Sequence, residues 1–226
     1  MIRWSLQCQA RRLYRLERHK TGPLAPRQRE ESGIIMGEQY GFYIHTDRCV
    51  QCHACELACK SWNGLEPGVR WRKVVDIWYG QFPKVRNLTV SFSCMHCERP
   101  TCMHACPEKA ISKRMEDGIV TVDPQKCVGC RTCESACPFQ IPQYGKNGIM
   151  QKCHMCLDRV TQGSEPSCVA TCPGEALQFG TVESLLKVSA LKSGNRLPAS
   201  TVPCLIVSGK FTGSAILKMF DRNRSA

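Results

Sequence analysis

The 226-residue chain has no apolar run near the roughly 18 residues that a membrane span requires. Its longest candidates, around Thr201–Ser208 and Ala215–Phe220, are far shorter. No apolar stretch follows Arg11-Arg12, so neither a Sec nor a twin-arginine export signal is expected. Without such a signal, a secreted disulfide framework is not the default reading of cysteines. Aromatic residues make up only 7% of the chain, and the 42% counted as hydrophobic includes its 18 cysteines. Ordinary core-forming side chains are therefore few, and something besides apolar packing must help hold the fold. No nucleophile–base constellation and no phosphate-cradling glycine loop is present, so the chain is not expected to carry out substrate chemistry itself.

What the chain has in excess is thiol and positive charge. The formal charge is +12, from 31 Lys and Arg against 19 Asp and Glu. A basic balance raises nucleic acid or an anionic membrane surface as a partner. Part of the excess lies in residues 1–35, which hold Arg3, Arg11, Arg12, Arg15, Arg18, Lys20, Arg27 and Arg29 against Glu17, Glu30 and Glu31. This segment is expected to be a basic disordered tail or to precede a true start at Met36; the alternative is a nucleic-acid or membrane arm.

Sixteen of the cysteines fall into four quartets. The first is Cys49, Cys52, Cys55 and Cys59, and the third is Cys127, Cys130, Cys133 and Cys137; both have the spacing C-x2-C-x2-C-x3-C. The second is Cys94, Cys97, Cys102 and Cys106, and the last is Cys153, Cys156, Cys168 and Cys172; both have C-x2-C, a wider gap, then C-x3-C-P. The flanks repeat as well. A β-rich run ending in aspartate precedes each odd quartet (Phe42-Tyr43-Ile44 to Asp47; Ile119-Val120-Thr121-Val122-Asp123). A C-P-x-x-A pattern follows each even one, reaching Ala110-Ile111 and Ala176-Leu177.

These repeats predict an α+β, loop-rich fold of two nested bacterial-ferredoxin-like [4Fe–4S] units. An inner unit spans 90–140, and an outer unit is made of 38–60 plus 150–182. In each, the strand after the even quartet is expected to pair with the strand before the odd one as a two-stranded hairpin. The four-cluster domain is thus read as 36–183, between the basic tail 1–35 and a C-terminal tail 184–226. That tail offers a helix over Glu183–Leu191, a strand over Val202–Val207 and no readable motif. Trp62, Trp71, Trp78, Tyr79 and Phe82, in the linker 60–93, are read as ordinary packing residues, with a partner-facing surface as the alternative.

In two-cluster ferredoxins the C-x2-C-x2-C-x3-C-P run gives three ligands to one cubane and its fourth cysteine to the other. Applied here, the rule predicts four [4Fe–4S] clusters. The first is held by Cys49, Cys52, Cys55 and Cys172, and the second by Cys153, Cys156, Cys168 and Cys59. The third is held by Cys94, Cys97, Cys102 and Cys137, and the fourth by Cys127, Cys130, Cys133 and Cys106. Zinc is disfavoured, because zinc sites use two C-x2-C pairs across a longer spacer. Disulfides are disfavoured by the density of the triplets. His53, His96, His104 and His154 lie inside the quartets but are surplus to four-cysteine sites, so they are read as surrounding or surface groups. Cys8 and Cys204 stand alone, Cys204 as a small buried hydrophobe.

The sequence resembles the iron–sulfur subunits of the anaerobic dimethyl sulfoxide reductase family, four-cluster electron-transfer subunits that accompany molybdopterin enzymes. The resemblance covers residues 38–182 and rests on the cysteines together with Gln39-Tyr40-Gly41-Phe42, Cys55-Glu56-Leu57-Ala58-Cys59-Lys60 and Cys94-Met95-His96-Cys97-Glu98-Arg99-Pro100. It continues through Glu116-Asp117-Gly118, Cys127-Val128-Gly129-Cys130-Arg131, Ala136-Cys137-Pro138, Pro142-Gln143-Tyr144, Lys152-Cys153 and Asp158-Arg159-Val160. Related nitrate reductase subunits carry Trp and a [3Fe–4S] cluster where this chain has Cys130. The resemblance implies a non-catalytic relay from an integral membrane, quinol-oxidising anchor subunit to a molybdopterin catalytic subunit. Membrane association would then come through these partners, on a side the sequence does not indicate. The alternatives are the same relay in a formate dehydrogenase, hydrogenase or polysulfide/tetrathionate reductase complex, or an iron–sulfur nucleic-acid-binding protein. No nucleic-acid partner is expected: a ligated [4Fe–4S] centre carries about −2, so four of them offset most of the formal charge.

Overall fold

The computed structural model describes residues 37–190, 195–197, 199–209 and 216. The expectations for residues 1–35 lie outside these residues. Among the described residues, ten short strands and six short helices alternate among long loops, the outcome expected where few apolar side chains are available and loops must wrap other groups.

The largest sheet has four strands. β1 (Tyr40–His45) pairs antiparallel with β8 (Leu177–Thr181) and parallel with β10 (Leu205–Ser208), which in turn pairs antiparallel with β9 (Asn195–Arg196). Alternation along β1 sorts its side chains to two faces. Phe42 and Ile44 join the main core with Val74, Val90, Phe92 and Ile119, while Tyr43 packs with Val182, Leu185 and Ile206 on the other side. The antiparallel partner of β1 is thus the strand that follows the last quartet. The two-stranded hairpin expected there is instead part of a wider sheet, because the C-terminal segment adds β10 along the free edge of β1. Helix α6 (Val182–Ala190) starts one residue before its expected position, and β10 begins three residues after it.

The inner strands β4 (Ile111–Lys113) and β5 (Val120–Val122) form a two-stranded antiparallel hairpin across a turn containing Asp117-Gly118. Asp117 accepts from the Ile119 amide at 2.9 Å, which fixes that turn. Two further hairpins were not anticipated by the cysteine repeats. β2 (Lys73–Tyr79) pairs with β3 (Arg86–Phe92) over seven residues each, and β6 (Gln143–Tyr144) pairs with β7 (Met150–Gln151). The β2–β3 hairpin changes the reading of the linker aromatics. Trp71 does pack, edge-on against His154 at 5.1 Å, but Trp62, Trp78 and Phe82 are exposed, Phe82 at 91%. The hairpin turns one face to the core, through Val74, Leu88 and Val90, and these three side chains lie off it.

Candidate metal centres

Four short helices set the cysteines: α1 (Ala54–Trp62), α2 (Thr101–His104), α3 (Thr132–Ala136) and α5 (Ser167–Ala170), with α4 (Leu157–Val160) between β7 and α5. Each C-x3-C pair spans one helical turn, at α1 (Cys55, Cys59), α2 (Cys102, Cys106), α3 (Cys133, Cys137) and α5 (Cys168, Cys172). Residues four apart lie on the same helix face, about 5–6 Å apart. One turn can therefore serve two adjacent sites.

The loops before these helices are shaped by backbone handedness. The second spacer residue of every C-x2-C carries a positive φ: Gln51 (58°), His96 (41°), Gly129 (70°) and Met155 (58°). His53 and Arg131, in the next spacer, follow suit (55° and 61°). Left-handed residues of this kind turn successive amides toward one point, a concavity that binds anions and iron–sulfur groups. A second recurrent turn follows three of the C-x3-C pairs. Lys109, Gln140 and Glu175 each have positive φ, and their amides donate to the carbonyls of Cys106, Cys137 and Cys172 at 3.2, 3.2 and 3.1 Å. The next amide after two of these turns donates to sulfur: Ala110 to Cys106 Sγ and Ala176 to Cys172 Sγ, both at 3.3 Å. Met150 and Met155 amides do the same for Cys127 (3.4 Å) and Cys153 (3.3 Å).

The structure gathers the cysteines across quartets. One cavity is lined by Cys49, Cys52, Cys55 and Cys172. A second is lined by Cys94, Cys97, Cys102 and Cys137. A third is lined by Cys106, Cys127, Cys130 and Cys133. The three are of similar size, about 360, 390 and 330 Å³. The remaining four, Cys59, Cys153, Cys156 and Cys168, are all buried. They are electrostatic neighbours: burial pushes the Cys59 thiol far up, and Cys153, Cys168 and Cys156 push it further.

All sixteen are free thiols. Among the described residues no three His, Cys, Asp or Glu side chains converge tightly enough for a single metal ion. The cysteines thus face shared cavities without closing on a point. A zinc ion would draw its sulfurs to about 2.3 Å, whereas a cubane holds them apart around a larger body. The sulfur-only donor set, the amide donors to sulfur and the spacious cavities fit a [4Fe–4S] group. Burial pushes the thiols of Cys97, Cys102 and Cys153 up to about 12, with neighbouring cysteines adding to the rise. The protein alone therefore disfavours the thiolates, and bound iron would supply the compensating positive charge.

The four histidines are accounted for without ligation. His53 and His104 are exposed. His154 Nδ1 accepts from the Leu157 amide at 3.1 Å. His96 is wholly buried, its Nδ1 accepts from the Val120 amide at 3.0 Å, and burial holds its pKa well below the usual imidazole range. Cys204 is buried beside Arg196, whose Nη2 lies 3.7 Å from its sulfur.

Two functional side chains went unnoticed in the sequence. Lys152 is buried against the Cys94 cavity, and its ammonium donates to the carbonyls of Val120 and of Cys153 (3.2 Å for the latter). Arg72 is buried between β2 and the first cysteine loop, donating to Ser91 Oγ (3.2 Å) and Ser93 Oγ (3.0 Å). Burial opposes its charge, but Cys168, Cys153, Cys55 and Cys59 outweigh that penalty and hold its pKa above the ordinary guanidinium value. Spacing arguments could not find these cations, because their partners are thiols distant in sequence. The largest cavity, about 590 Å³, lies beside Trp62, Trp71 and Leu157 and has no cysteine in its lining.

Residues 85–182 match the family model described as a 4Fe-4S dicluster domain, and residues 46–62 match a 4Fe-4S binding domain. The iron–sulfur subunit of the anaerobic dimethyl sulfoxide reductase of Escherichia coli (strain K12) is 44% identical over 161 residues, covering 67% of this chain and 78% of that one. A sulfite dehydrogenase subunit of Allochromatium vinosum is 36% identical over 166 residues, 64% of this chain and 69% of that one. The iron–sulfur subunit of the nitrate-inducible formate dehydrogenase of Escherichia coli (strain K12) is 34% identical over 163 residues, 65% and 55% of the two chains.

Proposed function

The protein belongs to the family of iron–sulfur subunits of anaerobic dimethyl sulfoxide reductase, and from that premise we propose that it relays electrons through four [4Fe–4S] clusters to a molybdopterin catalytic subunit. As in its relatives, its role is that of an electron-transfer subunit and not of a catalytic one. The observation that carries the four-cluster reading is the crossed lining of the three cysteine cavities: in each, three cysteines from one quartet meet the last cysteine of another. The ligand sets are then Cys49, Cys52, Cys55 with Cys172; Cys153, Cys156, Cys168 with Cys59; Cys94, Cys97, Cys102 with Cys137; and Cys127, Cys130, Cys133 with Cys106. The pairing of β1 with β8 and of β4 with β5 supports the nested arrangement of an outer and an inner two-cluster unit.

Bound [4Fe–4S] clusters supply one-electron storage at potentials set by charge, hydrogen bonds and exposure. The chain's own residues do the rest. Each helical turn with cysteines four apart fixes the distance between two adjacent sites. The amides of Ala110, Ala176, Met150 and Met155 donate to sulfur and favour its anionic form. Buried Ile44, Ile119, Phe139 and Ile141 exclude water from the inner walls.

The exposure of individual thiols suggests where electrons cross to partners. Cys52 and Cys130 are exposed, whereas every cysteine of the Cys153 set is buried. Val50 and Val128, one residue after the first cysteine of their quartets, are each 66% exposed. The sites of the first and third quartets are thus read as the two ends of the relay. Among the described residues no helix is long and apolar enough to cross a membrane, so attachment to a quinol-oxidising membrane subunit would be through protein contacts.

Purification of the native complex tests this reading. Four full sites require about 16 iron atoms per chain and a co-purifying molybdopterin subunit; a colourless, zinc-loaded protein sinks it. The crossed ligation is tested by Cys106→Ser. EPR should lose the signal of the site built on Cys127, Cys130 and Cys133, while the site built on Cys94, Cys97 and Cys102 survives. The reverse result breaks the pairing.

A further inference from the structure

Arg72 is the most demanding charge in the described structure. It is 2% exposed, and taking an unpaired guanidinium out of water is strongly unfavourable. No carboxylate offsets it: the charged groups acting on it are Cys168, Cys153, Cys55 and Cys59. Two of its donors are used by neutral hydroxyls, Ser91 and Ser93, and its Cζ lies 4.6 Å from the centroid of the Phe42 ring. Its Nε, wholly buried, meets no acceptor oxygen or nitrogen. An orphaned cationic donor of this kind fits an anionic sulfur group.

The position joins two sites. Ser91 Oγ accepts from Arg72 and lies 3.4 Å from Cys55 Sγ, so a short hydrogen-bonded path runs from the guanidinium to the first ligand set. Cys59, Cys153 and Cys168 belong to the second. Cys55 and Cys59 are one turn apart on α1, with Arg72 acting on both.

We propose that Arg72 is the buried counter-charge shared by two adjacent cluster sites, the one on Cys49, Cys52, Cys55 and Cys172 and the one on Cys59, Cys153, Cys156 and Cys168, and that it raises the reduction potentials of both. The inference rests on the ligand sets given above. Reduction adds negative charge, and a fixed cation nearby stabilises the reduced form more than the oxidised one. Arg72 is therefore a positioning and tuning residue that divides the relay into an outer pair, biased toward holding the electron, and an inner pair influenced by Lys152.

The test is an EPR-monitored redox titration, with iron analysis, of the native complex carrying Arg72→Met or Arg72→Lys. In Arg72→Met the reduced-to-oxidised ratio of the two outer-pair clusters at a fixed ambient potential should fall about tenfold, the order expected for one charge roughly 10 Å away in a medium of effective dielectric near 20. That corresponds to about 59 mV for a one-electron couple. The inner pair should move less, and Arg72→Lys should restore most of the shift. Full iron with unmoved potentials in Arg72→Met overturns the proposal, as do equal shifts in the Met and Lys variants, which would mark a packing role. Should Arg72→Met fail to retain iron, Arg72→Lys decides: retained clusters with a small displacement support the counter-charge, and equal iron loss overturns it. A wild-type complex without [4Fe–4S] iron would instead sink the ligand assignment itself.

Discussion

At the scale of single residues, spacing and backbone handedness carry different information. The sixteen cysteines were legible because a cubane imposes a fixed set of intervals on the chain, and the cavities gather them in the expected crossed sets. The left-handed residues between them were not legible. Only one of the four second-spacer positions is glycine, at Gly129, while Gln51, His96 and Met155 hold the same conformation with side chains. A left-handed residue with a Cβ costs roughly 1–2 kcal/mol, so the anion-binding turn must be stabilised by what it binds. Gly129 faces a further constraint, since a Cβ there would lie 2.5 Å from the Gly148 carbonyl oxygen. Gly129→Ala should therefore lose the cluster of its own loop, read as a loss of about four iron atoms and of one EPR signal. Gln51→Gly, relieved of strain at φ 58° and with no such neighbour to meet, should keep its full iron content. Arg72 escaped notice for another reason. A cation paired with thiols tens of residues away leaves no local pattern, and in sequence it is one basic residue among 31.

At the scale of elements, the strands flanking the quartets were readable as alternating runs, but the role of the C-terminal segment was not. A parallel pairing such as that of β1 with β10 needs no turn residues of its own, and its partners lie about 160 residues apart, as in Phe42 with Leu205. The apolar run gave the strand, and nothing gave its neighbour. In the fold this segment is part of the core: Leu205, Ile206 and Val207 are all buried, and Tyr43 Oη meets Ser208 Oγ at 2.5 Å. Ile206→Ala should lower stability by about 2–5 kcal/mol, the range for emptying a fully buried aliphatic site. Denaturant unfolding of the iron-loaded protein would measure it, and a loss below about 1 kcal/mol, well under that range, would mean that β10 merely covers the sheet. The β2–β3 hairpin was hidden differently. Its residues alternate only weakly, and its cysteine-free sequence falls between two quartets that drew the whole reading, although β3 supplies Leu88, Val90 and Phe92 to the core.

At the scale of the molecule, the shortage of apolar side chains and the crowding of thiols have one explanation. Cysteines of the proposed sites lie inside the same core cluster as Phe42, Ile44 and Val90, with Cys55, Cys94, Cys137, Cys153 and Cys168 among its members. Stripped of iron, these positions become a set of buried thiols around empty space, and the sheets between them are too short to stand alone. Anaerobic chelation should therefore collapse the far-ultraviolet circular dichroism together with the absorbance near roughly 400 nm, because metal binding and folding share one free energy; a stripped chain that kept its native spectrum would contradict this. The same organisation bears on assembly. A relay buried along its length can exchange electrons only where a site reaches the surface, and Val50 and Val128 flank the exposed thiols Cys52 and Cys130. Burying a charge in a docked interface without a partner is costly. Val50→Asp and Val128→Asp should thus each leave the iron content intact while slowing reduction or reoxidation of the clusters in the complex by about tenfold or more, the factor that roughly 1.4 kcal/mol of lost docking energy gives. The two should differ in the step they block, one impairing electron entry and the other exit, which stopped-flow spectra with donor or acceptor alone would separate. If both impaired the same step, the two sites would face one partner and the relay could not run from the first quartet to the third.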